Sequence, residues 1–306
     1  MVSWSVSGAV AAGDINVTAQ LTVGTGIRLS PDGKRMFLSS NSPDSVFEYY
    51  LSTPWDITNF SFSVSLSIAN ETALQGMSFR PDGAKMYAIG NASDRFRVYN
   101  LINSWSLTGA GFSGAFLQSQ DGTPVDCLHN SDGTKAFVHG LANDRIYQYS
   151  ETNSGAWGGG LVYDNESFYY GAQAASAEGS TWGKQGKKFY ISDTTNSKVH
   201  QYSAVTAYTL SGMVYDNESF KFPNSVGDNA GFEWKIDGTR FYRTSGSGSV
   251  YQFDVSNDAP ASGAKIQVGD KWFSAAVVLI NVGNLWNPIV DMKLQQGDAW
   301  KATEMI

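Results

Sequence analysis

The chain has 306 residues, with 28 acidic against 21 basic side chains and a formal charge of −7. That balance excludes a basic field able to neutralise nucleic-acid phosphates, and the single Cys127 excludes an intrachain disulfide framework. Gly 32, Phe 17, Tyr 15 and Trp 9, with only 16% charged residues, describe a β-rich, turn-rich globule rather than a helical or disordered one.

In chain order, the N-terminus lacks a basic residue before Arg28 and lacks the apolar core of a signal peptide, so synthesis in the cytoplasm without Sec export is expected. Residues 3 to about 20 open with Trp4-Ser5-Val6-Ser7-Gly8, a pattern that returns as Trp105-Ser106-Leu107-Thr108-Gly109 and Tyr208-Thr209-Leu210-Ser211-Gly212. A longer unit then recurs at intervals of about fifty residues, marked by the turn glycines Gly33, Gly83, Gly133, Gly186 and Gly238. Each unit reads as four strands. The first is apolar and starts at a small residue, as in Gly26-Ile27-Arg28-Leu29 or Gly231-Phe232-Glu233-Trp234. A Gly turn, in four units Asp-Gly, leads to an aromatic strand (Met36-Phe37, Phe241-Tyr242). A period-2 strand follows, as in Val46-Phe47-Glu48-Tyr49 or Ile146-Tyr147-Gln148-Tyr149, and the fourth comes after Trp55, Trp105, Trp157 or Tyr208.

The fifth unit stops near Val255 without a fourth strand, and the N-terminal Trp4 segment matches the missing piece. The expected fold is therefore all-β: residues 1–257 form a five-bladed β-propeller whose last blade is closed by the N-terminal strand, leaving no free sheet edge. An open stack of repeats or a two-sheet sandwich would not use that match.

Residues 258–264 read as a linker, and 265–306 as a small C-terminal β-repeat unit: three 14-residue copies of a strand, a Gly turn and a strand opening with Trp272, Trp286 or Trp300. So small a unit is near the limit for an independent core. The three tryptophans either fill that core or form an attachment and assembly surface. The longest clean apolar run, 275–280, is too short to cross a bilayer, so no membrane insertion is expected.

Catalytic motifs are not apparent. His129, His139 and His200 lack zinc-ligand spacing, and no nucleophile elbow or P-loop occurs. Two connections expected between the fourth strand of one unit and the first of the next share an identical heptad, Val162 to Phe168 and Val214 to Phe220, with a weaker echo at 69–72. Grouped on one propeller face, Asp164, Asn165, Glu166, Asp216, Asn217 and Glu218 could bind sugar hydroxyls while Tyr169, Tyr170 and Phe222 stack on sugar rings. The alternative is that Asn-Glu-Ser forms blade-capping turns. Asp126, Asp228 and Glu233, at or near first-strand starts, are the carboxylates a glycosidase would need near the channel, but no shared motif joins them. No catalytic residue, metal ligand or cofactor is assigned, although Asp- and Asn-bearing loops leave Ca²⁺ open.

The units of the form Phe79-Arg80-Pro81-Asp82-Gly83-Ala84-Lys85-Met86-Tyr87, followed by Tyr99-Asn100-Leu101 and Trp105-Ser106-Leu107, resemble propeller proteins of tailed bacteriophages. The Gly-x-x-Trp repeat is similar to short tandem β-units at the ends of phage tail-fibre and appendage proteins. The resemblance implies a non-enzymatic, multimeric component of the virion surface, a tail fibre or tail-tip appendage. It would bind a host-surface receptor or glycan and contact other virion proteins. It equally implies a capsid or tail decoration protein attached through residues 265–306, and less directly a depolymerase. No collagen-like or coiled-coil shaft accompanies these units.

Overall fold

A computed structural model describes residues 4–68, 71–151, 161–223 and 231–255, together with the backbone of six short strands between 265 and 304. Contacts divide the chain into two compact units, Met1–Val255 and Ser256–Ile306.

The first unit is a five-bladed β-propeller, each blade a four-stranded antiparallel sheet. Strand β1 (Val10–Asn16) belongs to the last blade. Blade 1 is β2 (Val23–Leu29), β3 (Arg35–Ser42), β4 (Asp44–Leu51) and β5 (Phe60–Ser67); blade 2 is β6 (Leu74–Phe79), β7 (Lys85–Gly90), β8 (Arg95–Asn100) and β9 (Gly111–Leu117). Blade 3 is β10 (Pro124–His129), β11 (Lys135–Gly140), β12 (Arg145–Glu151) and β13 (Leu161–Tyr169); blade 4 is β14 (Ala177–Gly183), β15 (Lys188–Asp193), β16 (Lys198–Ser203) and β17 (Val214–Lys221). Blade 5 takes β18 (Phe232–Trp234), β19 (Arg240–Thr244) and β20 (Ser249–Asp254) from the end of the unit and β1 from its start. β1 runs antiparallel to β20 from Val10 opposite Asp254 to Asn16 opposite Ser249. The closure expected from the Trp4 pattern is the one observed.

Alternation dictates the core. The second-strand aromatics Phe37, Tyr87, Phe137, Tyr190 and Tyr242 are buried, as are the third-strand Tyr49, Tyr99, Tyr149, Tyr202 and Phe253. They fill the spaces between neighbouring blades, so each hydrophobic cluster draws on two adjacent sheets.

The recurring Trp-Ser-Leu segment joins blade to blade. Trp55, Trp105 and Tyr208 sit at positive φ (67°, 58° and 53°), and their backbone N–H groups donate to Gly33, Gly83 and Gly186 of the turn in their own blade, at 2.8, 2.9 and 3.0 Å. Two residues beyond Trp105, Trp4 and Trp55, the backbone N–H of Leu107, Val6 and Ile57 donates to Glu48, Gln201 and Gln252 of the preceding blade, at 2.7, 3.2 and 3.2 Å. The Trp55 carbonyl accepts from Tyr242 Oη at 2.6 Å and Arg240 Nη1 at 2.9 Å, and Tyr190 likewise donates to the Trp4 carbonyl. Trp4 to Val6 is therefore part of the closure, beyond the strand ladder itself.

The turn under each aromatic leaves no room for a side chain. At Gly83, φ is +72° and an added Cβ would stand 2.0 Å from Trp105 Cδ1. Gly83→Ala is expected to lower stability by about 2 kcal/mol, combining left-handed strain with displacement of the indole. Thermal melts of the two proteins check this; an unchanged midpoint would show that the indole is not held by the turn.

In the second unit three hairpins pair β21 (Lys265–Val268) with β22 (Lys271–Ser274), β23 (Ile280–Val282) with β24 (Leu285–Asn287), and β25 (Asp291–Gln296) with β26 (Ala299–Glu304). Their registers repeat: Trp272 lies opposite Gln267, Trp286 opposite Asn281 and Trp300 opposite Gln295. The side chains of these tryptophans lie outside the described residues.

Candidate functional site

The first strands of the five blades line the central channel, and equivalent positions form rings. The first ring is Gly26, Gly76, Asp126, Gly179 and Gly231. It is tight: a Cβ added at Gly231 would stand 2.5 Å from Gly26 Cα, and one at Gly76 would stand 2.7 Å from Asp126 Cα. Blade 3 alone brings a side chain to this ring, and Asp126 is buried there. Two residues further along each strand stand Arg28, Ser78, Leu128, Thr181 and Glu233.

Arg28 closes the channel over Asp126. Its Nη2 donates to Asp126 Oδ1 and Oδ2 at 2.9 and 3.0 Å and to the Cys127 carbonyl at 3.1 Å, and its Nη1 donates to the carbonyls of Ile27 and Phe232 at 2.7 and 3.3 Å. Nε lies 3.6 Å from Glu233 Oε2. Asp126 also accepts the N–H of Cys127 at 2.9 Å and of Ser180 at 3.0 Å. Burial opposes the charge on Arg28, but Asp126 and Glu233 outweigh it and hold the guanidinium above its ordinary range. Burial raises Asp126, with Arg28 and the two N–H groups working against it.

Above this plug the channel widens into a bowl of about 500 Å³ on the face carrying the Gly turns. Its walls hold Trp4, Trp55, Phe79, Trp105, Trp182, Tyr208 and Trp234. Most stand in pairs within a blade: Phe79 stacks on Trp105 at 5.0 Å, Trp182 meets Tyr208 at 5.5 Å and Trp234 meets Trp4 at 5.5 Å. Blade 3 differs, placing His129 where the others have an apolar side chain; the matching Trp157 lies outside the described residues. The indole nitrogens of Trp182 and Trp234 are enclosed and meet no hydrogen-bond partner among the described residues.

Polar groups gather at the floor. Glu233 Oε1 accepts from Trp234 N at 3.0 Å and Thr181 Oγ1 at 3.2 Å, and burial pushes its carboxyl up to about 7 although Arg28 pulls the other way. Ser78 Oγ lies 2.9 Å from His129 Nδ1, and burial together with Arg28 drives that imidazole down to about 3, so it is neutral. Among the described residues no cluster of His, Cys, Asp or Glu could hold a metal ion.

The candidate ligand-binding residues of the shared heptad stand elsewhere. They are not in connections between blades but within the outer strands β13 and β17. In each strand the register slips by two residues at the heptad's Asp-Asn, with Asn165 and Asn217 both at φ 57°. The bulge turns Asp164 onto Gln148 Nε2 at 2.8 Å and Ser150 Oγ at 3.0 Å. It turns Asp216 onto Lys188 Nζ, Gln201 Nε2 and Ser203 Oγ at 2.6, 2.8 and 2.6 Å. Glu218 accepts from Ser5 Oγ at 2.6 Å across to the next blade, and Glu166 pairs with Gln148 in the ladder. Tyr169 is exposed, but Tyr170 and Phe222 are 0% and 3% exposed and present no ring face to solvent. The heptad therefore repeats because a bulged outer strand needs Asp to hold its neighbour and Asn to accept positive φ.

The face opposite the bowl is organised by other carboxylates. Asp121 accepts N–H groups of Thr123, Ala142 and Asn143 at 2.9, 3.1 and 3.1 Å, and Glu71 accepts from Ser93 Oγ at 2.5 Å. Asp228 and Asn70 lie outside the described residues. The bowl itself was hidden from sequence reading because its walls come from two non-adjacent parts of every repeat. The signal was present in the aromatic at the fourth position of strands one and in the Trp before strand four.

No protein-family model and no curated protein matches the chain. Among solved structures it is similar to a functionally unknown protein of Desulfotomaculum acetoxidans (10% identity, TM-score 0.46, 72% of this chain and 62% of that one). It is also similar to a provisional 6-phosphogluconolactonase of Bacteroides fragilis (12%, 0.45, 65% and 55%) and to the Cps50 (Swd1) β-propeller domain of Myceliophteria thermophila (10%, 0.43, 81% and 100%). The chain spans less than two thirds of the length of the first two. Similarity this distant carries no function across.

Proposed function

We propose that this chain is a non-enzymatic carbohydrate-binding propeller and that the bowl is its site. The observation that carries the reading is a concave site of about 500 Å³ whose walls are tryptophan and tyrosine and whose floor holds Glu233, Thr181 and Ser78. Aromatic faces suit the apolar faces of sugar rings, the hydroxyl and carboxyl groups suit sugar hydroxyls, and the volume falls within the range of small-molecule sites. The setting on a phage particle, as a receptor-binding appendage or decoration protein with residues 265–306 as its attachment, rests on the sequence resemblance.

Catalysis has one point in its favour, a carboxyl at about 7 beside a second carboxylate. Against it, both oxygens of Asp126 are occupied by Arg28 and main-chain N–H donors, which leaves no lone pair for a water or an anomeric carbon. The test is glycan-array binding by the full chain and by Trp105→Ala, with release of reducing ends followed in parallel. Binding lost at least tenfold in the variant is expected, with no release. Binding untouched by Trp105→Ala overturns the bowl as the site, and turnover of a polysaccharide overturns the non-enzymatic reading.

A further inference from the structure

We infer that the bowl takes a sugar bearing a free ammonium group, with the positive charge seated over Glu233 between the aromatic walls. The inference rests on the carbohydrate reading and narrows it. Among the charged side chains that line the bowl, Arg28 is already committed to Asp126 and to the carbonyls of Ile27, Phe232 and Cys127, so its charge is spent within the protein. With Glu233 ionised, two carboxylates face one guanidinium, and His129 adds no charge. A phosphorylated or acidic sugar would meet this negative excess, with no uncommitted cation among the lining residues. An ammonium group would supply the missing compensation.

The walls favour the same charge. Trp4 and Trp234 meet at 49° and Trp182 and Tyr208 at 64°, so neighbouring rings present differently inclined faces around the bowl, and such faces attract cations.

The groups facing Glu233 are Arg28 on β2, Asp126 on β10, Thr181 on β14 and the Trp234 N–H on its own strand. Its ionised form predominates above about 7, so affinity for a permanent cation rises from pH 6 to pH 8.

Calorimetric titration of the full chain with glucosamine, N-acetylglucosamine, glucose and choline tests this. At pH 7, glucosamine is expected to bind about tenfold more tightly than its N-acetyl form, choline to bind more weakly than glucosamine, and Glu233→Gln to erase the preference. Equal binding of glucosamine, N-acetylglucosamine and glucose overturns the inference and leaves the carbohydrate reading standing. Binding of choline with no sugar keeps the cation seat and sinks the carbohydrate reading; no binding by any probe at millimolar concentration sinks both. If Glu233→Gln melts early, the wild-type choline titration decides: affinity flat between pH 6 and pH 8 overturns the inference.

Discussion

A chain lacking residues 1–20 is expected not to reach a folded, monomeric state. The deletion strips β20 of its outer partner β1 along its whole length and removes Val6, Ile15 and Val17, exposed by only 0, 7 and 1%. Burial of three such side chains is worth about 5–8 kcal/mol, comparable with the whole stability of an ordinary domain, about 5–15 kcal/mol. The deletion also removes the acceptor and donor by which blade 4 grips blade 5, the Trp4 carbonyl and the Val6 N–H. What remains is a three-stranded blade with an exposed edge, a template for pairing with other chains. Circular dichroism and size-exclusion chromatography of the truncated protein check this. A truncated chain with a wild-type melting midpoint and a monomeric elution volume would refute ring closure by the N-terminus. A point variant gives the same answer more gently: Val6→Asp places an unpaired carboxylate between blades 4 and 5 and should lower the midpoint sharply.

The second large effect concerns the channel plug. Arg28→Leu leaves Asp126 buried at the tightest ring without its counter-charge, and a loss of about 3–5 kcal/mol is expected. Adding Asp126→Gly should recover most of that loss, because glycine is what the other four blades place at this ring and the remaining Glu233 can take up a proton. Denaturant titrations of the single and double variants measure both steps. If the single variant loses less than about 1 kcal/mol, or the double is no more stable than the single, the Arg28–Asp126 pair is not what holds the channel shut.

Much of this architecture could be read before any coordinates. The turn glycines and the alternating aromatics of the second and third strands announced five sheets, because period and alternation are local properties of the chain. Trp4-Ser5-Val6 could be matched to Trp105-Ser106-Leu107 because both do the same work, capping a turn and docking on the preceding blade. The shared heptad misled for a related reason. Asn and Asp in a row read as a connecting loop, whereas here they build a bulge whose Asp is satisfied by Gln and Ser of the neighbouring strand, a pairing that no linear pattern displays. Arg28 and Asp126 are separated by 98 residues, and nothing in either repeat alone marks them as partners; only closing the circle brings them together. The same holds for Glu233, named among the scattered carboxylates without a reason to prefer it.

That the last sheet is completed from both ends of the propeller sets the order of events during synthesis. Within the propeller, the segment that closes the ring is synthesised before blades 1 to 4 and its partner after them: Gln252 Nε2 meets the Ala12 carbonyl across 240 positions. Tethering a loop of that length costs about 5 kcal/mol of chain entropy, so the clasp becomes favourable only after the intervening sheets have packed and shortened the path between the ends. Blades 1 to 4 can assemble as they emerge, each burying aromatics against the one before. Throughout that time the nascent N-terminal strand travels unpaired, and the protein becomes a closed circle only when the ribosome has moved past Val255.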